Sequence, residues 1–357
     1  MKVQGIGGAE RHLLVLLPAL RERGIDARFL SLDAGGDADR FHGELERRGI
    51  PWRRVRCGSD VSPRLVASVA AAVRKERPDL VHTHMVHADV YGSTAARLAR
   101  VPFISTRHND DRYLLGPFRH VDRIAMKGAA AIVAISDAVR EFHIRAGLPA
   151  KKLVTIHYGL DALPTEPSEI TPEQAGIPPG APLILAVGRL IEQKDHANLV
   201  GAFERVRRAI PDARLAILGW GRLEEQTRAD VRARGLEDAV VLPGRVEPAS
   251  WLDRADVFAH SSRWEGFGIV LLEAMLARLP VVATSVSAVP EIVADGSTGT
   301  LVPPGDQEAF AAALVALLRD PRLRDAYGAA GWQRARDEFS SVHMTDRTIE
   351  VYRGAVT

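Results

Sequence analysis

Two carboxylates eight positions apart, Glu265 and Glu273, are the residues of this chain whose types and spacing most clearly suggest chemistry. Glu265 precedes a Gly-Phe-Gly turn, and Glu273 is the only charged residue in the apolar run 269–277. Because apolar residues lie on every side of that run, a helix formed by it would be buried. A buried carboxylate is unfavourable unless donors hydrogen-bond to it. Polyol hydroxyls are suitable donors, although an arginine partner or partial exposure would also satisfy Glu273.

The sequence around these glutamates resembles the donor-binding signature of the retaining GT-B glycosyltransferases of family 4, the group 1 glycosyltransferases. The resemblance is carried, in order, by RWEGFG, EA, PVVAT, PEIV and GTLVPPGD within residues 262–306. The glutamate pair alone is only moderately specific for this family, whereas the pair together with these flanking segments in this order is strong evidence for the resemblance. The resemblance extends from residue 7 to about residue 350. It implies an α/β fold of the GT-B type, with two Rossmann-like parallel-sheet domains facing across a cleft.

Short β-branched or aliphatic runs alternate along the chain with longer helical patterns, which predicts parallel-sheet α/β domains. A stretch rich in Pro, Gly, Glu and Thr at residues 161–182 interrupts this alternation and is typical of a linker. We expect an N-terminal acceptor-side domain at residues 1–162 and a C-terminal domain that binds the nucleotide sugar at residues 163–334. A last helix at about 335–357 is expected to pack back on the first domain.

The loop at residues 5–8 begins very early, because only four residues precede it. Members of the family begin with an apolar strand that leads into a Gly-Gly turn. We therefore expect the first, central strand of the N-terminal sheet to be truncated, either because this chain starts late or because its first codon is misassigned. The loop opens a helix whose first backbone N–H groups have no intrahelical partner, and glycines let an anion approach them. A Gly-Gly turn is usually only a turn; the resemblance places Gly7 and Gly8 against the distal phosphate and sugar of the donor.

A second element for anion binding follows the first predicted strand of the C-terminal domain, at residues 188–195. A diphosphate leaving group carries negative charge that must be stabilised as the glycosidic bond breaks. Arg189 can hold phosphate oxygens in a fork, and Lys194 can add a point charge. In most proteins these would be two solvated basic residues, but their spacing matches the phosphate-binding pair of the family.

The resemblance also assigns the other contacts to the donor. Glu273 is similar to the carboxylate that binds the ribose 2′- and 3′-hydroxyls. Glu265, together with the backbone N–H groups of Phe267 and Gly268, is similar to the group that holds hydroxyls of the transferred sugar. The remaining donor-binding candidates are Ile269 and, beside the base, Arg245 and Val246.

Three histidines, His82, His84 and His87, lie close together near the end of a predicted strand. No nearby Cys, Asp or Glu completes a zinc shell, so we expect no metal here. His84 is similar to the histidine that the family places near the transferred sugar and the acceptor, whereas His82 is expected to be structural. The D-x-D spacing at Asp37 and Asp39 is expected to be solvated, since the basic donor clamp makes a cation unnecessary. No cofactor is expected, because the nucleotide sugar is a substrate.

Composition is that of a globular protein with one cysteine, Cys57, which fits a reducing compartment and hence the cytoplasm. Neither a secretory signal nor a membrane-spanning run is recognised. Residues 1–152 contain 26 Lys and Arg and 17 Asp and Glu, a balance of +9, and the remainder carries −7. The basic half, with the cluster Trp52–Arg56, predicts peripheral contact with an anionic membrane at the inner face of the plasma membrane or with an anionic acceptor. The alternative is arginines spread over solvated helices; no nucleic-acid motif is present.

The function implied is metal-independent transfer of a hexose-type sugar from a nucleotide diphosphate sugar, such as a UDP-sugar, to a lipid-linked or polysaccharide acceptor. Such a reaction would serve envelope, lipopolysaccharide or exopolysaccharide biosynthesis. Glu265 is the only obvious nucleophile for double displacement, but the resemblance assigns it to hydroxyl binding, which favours a front-face route through a short-lived ion pair. An oxidoreductase is disfavoured because no G-x-G-x-x-G follows a strand. A nucleotide-sugar-binding protein with little or no activity is the alternative.

Overall fold

The computed structural model describes residues 1–3, 5–33, 38–57, 62–163 and 168–357. These residues form two compact units: Met1–Gly159 with Phe339–Thr357, and Leu160–Glu338. Asp37 of the D-x-D spacing and the middle of the predicted linker, 164–167, lie outside the described residues. Asp39 is exposed and pairs with Arg54.

The first unit contains two parallel sheets, of three and four strands. The strands, in chain order, are β1 (Lys2–Val3), β2 (Phe29–Asp33), β3 (Trp52–Arg56), β4 (Val81–His84), β5 (Phe103–Arg107), β6 (Ala131–Ala134) and β7 (Leu153–Thr155). Each sheet has its strands in sequential order, β1-β2-β3 and β4-β5-β6-β7. Apolar residues such as Phe103, Ile104 and Ile132 are buried in the second sheet, as expected for parallel strands covered on both faces.

Helices connect these strands, because a parallel pair needs a crossover. They are α1 (Gly8–Glu22), α2 (Ala38–Arg47), α3 (Pro63–Glu76), α4 (Val86–Ala99), α5 (Phe118–Met126) and α6 (Asp137–Arg145). The hydroxyls of Ser62 and Ser136 accept hydrogen bonds from the N–H groups of Leu65 and Val139 at the starts of α3 and α6. Such caps satisfy donors that the first helical turn leaves free, each worth about 1 kcal/mol.

The first strand is only two residues long and pairs with β2, with Lys2 opposite Leu32. In the described part of the chain β1 pairs with no other strand, so the two sheets are separate. The α-amino group of Met1 donates to the carbonyl of Leu30 at 2.9 Å. Burial lowers the pKa of this amino group to about 5. A cavity of about 1060 Å³ lies in this unit, and its lining includes Met1, Leu13, Leu32 and His82.

The second unit contains one six-stranded parallel sheet in the order β10-β9-β8-β11-β12-β13. Its strands are β8 (Leu183–Val187), β9 (Arg214–Leu218), β10 (Val240–Gly244), β11 (Val257–His260), β12 (Val281–Thr284) and β13 (Gly299–Val302). Its helices are α7 (His196–Ala209), α8 (Glu224–Ala233), α9 (Ala249–Arg254), α10 (Ile269–Leu276), α11 (Val289–Ile292), α12 (Gln307–Arg319) and α13 (Pro321–Glu338). The strand order reverses between β8 and β11, and in such sheets ligands bind outside the carboxyl ends at that point.

The core of this unit is made of fully buried aliphatic strands covered by α7 and α12. Phe203 and Phe310 of these two helices have no exposed surface. Burial of one such side chain stabilises the fold by about 1.5–3 kcal/mol. This core holds the carboxyl ends of the strands in fixed positions.

The last helix, α14 (Ser341–Val356), belongs to the first unit. Met344 and Ile349 pack with Leu16 and Leu20 of α1. At the start of α14 a Cβ on Gly159 would lie 2.2 Å from the carbonyl oxygen of Ser340, so only glycine fits there. No helix among the described residues combines the length and the hydropathy needed to cross a bilayer.

Candidate functional site

Three loops meet at the carboxyl ends of β8, β9 and β10. The N–H of Gly188 donates to the carbonyl of Leu218 at 2.9 Å, and the N–H of Leu190 donates to that of Trp220 at 2.8 Å. Gly219, at φ +144°, lies so close that a Cβ on it would be 1.8 Å from the carbonyl oxygen of Gly188. This contact requires glycine, and the hydrogen bonds hold the loop after β8 in one position.

Lys194 crosses from this loop to the loop that follows β11. Its methylene chain lies over Gly188, where a Cβ would be 3.3 Å from the lysine Cε. Its ammonium forms an ion pair with the carboxylate of Glu265. The side chain of Lys194 is mostly buried, so the pair is screened little by solvent. Two residues 71 positions apart in the sequence are thereby brought into contact.

Glu265 is 7% exposed and has three donors around one carboxylate oxygen. Besides Lys194, Nε2 of His260 lies 3.2 Å away and the hydroxyl of Ser262 donates at 3.3 Å. Burial raises the pKa of the Glu265 carboxyl, but the positive charge of Lys194 and the hydrogen bond with His260 together outweigh it and hold this pKa well below its usual range. Glu265 is therefore ionised at neutral pH.

A second ion pair joins the same two loops. Asp195, at φ +47°, accepts two hydrogen bonds from the guanidinium of Arg263, at 2.8 and 3.2 Å. The hydroxyl of Ser261 donates to the carbonyl of Lys194 at 2.8 Å. The loops after β8 and β11 thus form one connected polar edge of the sheet.

Arg189 lies on the loop after β8 with its side chain exposed. Of the residues that the structure describes, none forms an ion pair with it. Its backbone carbonyl accepts a hydrogen bond from Nε2 of His196 at 3.3 Å. The polar edge therefore carries a positive charge that is available to a ligand.

The second glutamate lies on α10, the helix that begins directly after the Gly-Phe-Gly turn. Gly268 precedes this helix at φ +92°, a conformation that favours glycine. Phe267 and Ile269 are buried, and Glu273 is 2% exposed. The buried helix predicted from the apolar run is therefore present. The start of α10 lies beside Glu265, since a Cβ on Gly268 would be 3.2 Å from the Cγ of Glu265.

Arg245 and Val246 follow β10. The Arg245 guanidinium lies over the ring of Trp220, with its Cζ 4.4 Å from the ring centroid. Trp220 is partly exposed, and Val246 is half-buried. Sequence reasoning did not identify Trp220; the Gly-Trp-Gly triplet directly after a predicted strand is the signal that could have revealed it.

His260 and Ser262 were also missed by sequence reasoning, although both lie close to Glu265. The available signal was their position, since His260 is the last residue of the otherwise apolar strand β11 and Ser262 follows it. In the second unit the structure brings together Lys194, Glu265 and the turn that precedes α10. Arg189 lies on the same loop as Lys194.

In the first unit, Gly7 and Gly8 are exposed at the start of α1. The N–H of Gly7 donates to a carboxylate oxygen of Glu10 at 3.0 Å. One of the donors at the start of this helix is therefore already bound within the chain.

His84 lies in a group of buried aromatic side chains at the end of β4. Its Nδ1 is 3.0 Å from Nε2 of His108, and its ring centroid is 4.1 Å from that of His82. His12 stacks on Tyr158 with a centroid separation of 4.5 Å. Burial lowers the pKa of His12 and His82 to about 3 and holds those of His84 and His108 well below their usual range. These four histidines are neutral at neutral pH.

Both ring nitrogens of His82 have partners within the unit. One lies 2.7 Å from the hydroxyl of Tyr352 on α14 and the other 2.7 Å from the hydroxyl of Thr106 on β5. This arrangement fits the structural role expected for His82.

The basic cluster Trp52–Arg56 forms β3. Arg53 pairs with Glu76 at 2.8 Å, and Arg54 pairs with Asp39. Two of the three arginines on this strand are therefore compensated by carboxylates, which reduces the charge that the cluster presents to a partner.

Comparison with known proteins follows the same division of the chain. Residues 167–334 match the family model described as glycosyl transferases group 1. Residues 6–162 match the model of glycosyltransferase family 4. Together the two matches cover most of the chain.

Among relatives, the chain is 30% identical to alpha-maltose-1-phosphate synthase of Mycolicibacterium smegmatis, over 97% of this chain and 95% of that protein. It is 31% identical to phosphatidyl-myo-inositol mannosyltransferase of Mycobacterium leprae, over 98% of this chain and 94% of that protein. Among solved structures it is similar to Alr3699/HepE of Anabaena in complex with UDP and glucose. The TM-score is 0.83 and the identity 25%, over 99% of this chain and 98% of that one.

Proposed function

The chain belongs to glycosyltransferase family 4, the group 1 glycosyltransferases with the GT-B fold, and we propose that it transfers a hexose-type sugar from a nucleotide diphosphate sugar with retention of configuration. The observation that carries this proposal is the polar edge of the six-stranded sheet. There Lys194 and the ionised Glu265 lie together next to the start of α10, and the loop that carries Lys194 also carries the exposed Arg189.

The proposed role of the basic residues follows from the charge of the leaving group. A nucleoside diphosphate gains negative charge as the sugar leaves, and donors fixed in advance stabilise that charge without reorganisation. Arg189 can hold two phosphate oxygens at once, whereas Lys194 acts as a point charge. The N–H groups at the start of α10 supply further donors of the kind that bind phosphate. This donor set supports departure of a diphosphate without a metal ion or other cofactor.

Glu265 is proposed to bind hydroxyls of the transferred sugar. Its carboxylate is ionised, so it can accept hydrogen bonds from sugar hydroxyls, and the ion pair with Lys194 lowers its basicity and hence its strength as a nucleophile. Phe267, Gly268 and Ile269 would add backbone donors to the same sugar. This arrangement supports a front-face reaction, in which the acceptor enters on the side from which the diphosphate leaves, over double displacement through Glu265.

The remaining contacts to the donor are proposed from the family resemblance. Glu273 would accept from the ribose hydroxyls, and Arg245 and Val246 would border the base. Gly7 and Gly8 would contact the donor, and His84 the transferred sugar. The likeness to a protein solved with UDP and glucose supports a UDP-sugar.

The acceptor is proposed to be lipid-linked or a polysaccharide, in envelope or exopolysaccharide biosynthesis at the inner face of the plasma membrane. The support is that one relative is named a phosphatidyl-myo-inositol mannosyltransferase and another an alpha-maltose-1-phosphate synthase. One of these names contains a lipid and the other a phosphorylated sugar.

The test is incubation of the purified chain with a panel of UDP- and GDP-sugars and candidate acceptors. Release of nucleoside diphosphate is measured, and the anomeric configuration of the product is read from its proton NMR coupling. We expect one donor to be consumed with retention and no change in the presence of EDTA. Tight donor binding by calorimetry without release would instead identify a nucleotide-sugar-binding protein. An inverted product would contradict the front-face mechanism.

A further inference from the structure

Five large apolar side chains are exposed on the first unit, on α5 and the turn before it. They are Tyr113, Leu115, Phe118, Val121 and Ile124, with exposed fractions from 50% for Val121 to 68% for Ile124. Single exposed apolar residues are ordinary, but five within 12 consecutive positions form a patch of the kind that marks an interaction site.

The helix that carries this patch is anchored to the unit through its opposite face. Asp122 accepts a hydrogen bond from the buried guanidinium of Arg107 at 2.7 Å. Ala125 and Met126 are buried, and Arg97 of α4 donates to the carbonyls of Ile124 and Ala125 at 3.0 and 2.6 Å. The apolar side chains are therefore held outward on a fixed element.

The exposed charges of this segment have one sign. From residue 112 to residue 127 the sequence contains four basic residues, Arg112, Arg119, Arg123 and Lys127, and all four are exposed. Within these bounds the one acidic residue is Asp122, which is buried against Arg107. Asp110 and Asp111, directly before this segment, are half-buried. On a helix with about 100° per residue, Phe118, Val121 and Ile124 occupy one flank of the exposed face, and Arg119 and Arg123 occupy the other.

Helices that lie in the surface of an anionic bilayer typically have an exposed apolar flank next to positively charged side chains. The apolar side chains enter the acyl boundary, and the cations attract the acidic headgroups. The charge distribution of the sequence predicts membrane contact at the Trp52–Arg56 cluster instead. That cluster presents less free positive charge than α5, because Glu76 and Asp39 compensate two of its arginines.

We propose that Tyr113, Leu115 and the exposed face of α5, together called the α5 surface, form a docking surface for an anionic lipid bilayer. It adds a docking surface to the membrane location of the proposed function, and it places that surface on α5 rather than on β3, where the charge of the sequence predicts it. Binding to lipid requires neither the sugar donor nor turnover, so the docking surface can be tested independently of glycosyl transfer.

The experiment uses the full chain and sedimentation with vesicles of phosphatidylglycerol mixed with phosphatidylcholine, or of phosphatidylcholine alone. Salt is set at about 0.05 M and about 0.5 M, because electrostatic attraction fades as the Debye length shortens. The wild type is expected to sediment with the anionic vesicles at low salt, at least about tenfold more than with neutral ones.

Two double variants separate the two contributions. The change Phe118→Ser with Ile124→Ser should reduce binding to anionic vesicles about tenfold or more at both salt concentrations, since it removes the buried apolar area. The change Arg119→Gln with Arg123→Gln should reduce binding at low salt and leave little difference between the two salt concentrations.

Matched controls come from elsewhere in the same unit. The change Val342→Ser with Val356→Ser removes two exposed apolar side chains of α14 and should bind vesicles like the wild type, as should Arg53→Gln with Arg54→Gln. Circular dichroism melting of every variant checks the fold. Wild-type binding by both α5 double variants, or no binding of the wild type to anionic vesicles, would overturn the proposal. Loss of a dimer in sedimentation velocity, without any vesicle binding, would identify the surface as a protein interface instead.

Nucleoside diphosphate release is measured on the same samples in the absence of vesicles. If the α5 variants release nucleoside diphosphate as fast as the wild type but no longer bind vesicles, the α5 surface acts in membrane docking and not in glycosyl transfer. No release from any sample would count against the proposed function and leave the vesicle result unaffected.

Discussion

The ammonium of Lys194 forms an ion pair with the buried carboxylate of Glu265, and the two side chains come from different loops at one edge of the six-stranded sheet. His260 and Ser262 surround the same carboxylate oxygen. Each charge depends on the other to remain buried. The pair is therefore a structural contact of the second unit as well as the centre of the proposed site.

Replacement of Lys194 by alanine is expected to lower both stability and turnover. Removal of one partner of a buried ion pair costs about 3–5 kcal/mol, because the remaining charge is left uncompensated. Loss of a group that stabilises the leaving diphosphate should also lower kcat by about 10²–10³-fold. Thermal melting and steady-state kinetics measure the two effects. The control is Arg222→Ala, which removes an exposed ion pair with Glu192 and should leave stability nearly unchanged, because solvent screens exposed pairs. Unchanged turnover in folded Lys194→Ala would exclude its proposed role.

Replacement of Arg189 by alanine should separate function from stability. Its side chain is exposed and has no ion pair in the described part of the chain, so the melting temperature should be that of the wild type. Turnover should nevertheless fall at least about tenfold. Arg232→Ala, at another exposed arginine of the same unit, is the matched control and should keep full activity. Equal activity of the two variants would remove Arg189 from the site.

Replacement of Glu273 by glutamine should weaken nucleotide binding more than it slows the saturated reaction. The ribose contact is present in both the ground state and the transition state, so its loss should weaken the binding of both by a similar amount and change kcat little. Titration calorimetry with UDP and GDP measures the affinity, and Glu308→Gln on the exposed side of α12 is the control. The same nucleotide affinity in both variants would contradict the ribose assignment.

Activity should need no divalent metal ion. Arg189, Lys194 and helix N–H groups are proposed to compensate the diphosphate, so no cation is required for its departure. The measurement is nucleoside diphosphate release after dialysis against EDTA, with and without added magnesium or manganese. Activity lost in EDTA and restored by either ion would show that the basic residues are insufficient.

Stability of the protein should fall as the pH is lowered below about 6.5. The pKa of His12 and of His82 is about 3 in the folded chain against an ordinary value of 6.5, so between these values the unfolded chain binds protons that the folded chain does not. Their contribution is fully present above pH 6.5 and decreases with acid, by about 1.4 kcal/mol per pH unit for each such histidine.

Denaturant unfolding between pH 8 and 5 tests this expectation. His12→Phe keeps a ring to stack on Tyr158 and removes one titrating group, so its stability should depend on pH less steeply by about 1.4 kcal/mol per unit. The matched control is His120→Gln, which changes an exposed histidine. The same slope in all three proteins would mean that His12 is protonated in the folded state.

Much of the architecture could be predicted from local sequence. Runs of β-branched and aliphatic residues at 183–187, 257–260 and 281–284 coincide with β8, β11 and β12, because strands buried on both faces of a parallel sheet need such residues throughout. At β3 the sequence predicts a basic cluster rather than a strand. Three of its five residues are arginines, of which Arg53 pairs with Glu76 of α3 and Arg54 with Asp39 of α2, so the apolar signal is weak.

The sequence by itself determined the family, the identities of the proposed donor-binding residues and the apolar helix that carries Glu273, since these depend on residue types at short spacing. Only the tertiary structure decided which charges are compensated. Lys194 meets Glu265 and Arg54 meets Asp39, whereas Arg189 and the cations of α5 remain exposed. Such pairings join positions far apart in the chain, and they depend on how loops and helices are packed, which the spacing of residues along one segment does not specify.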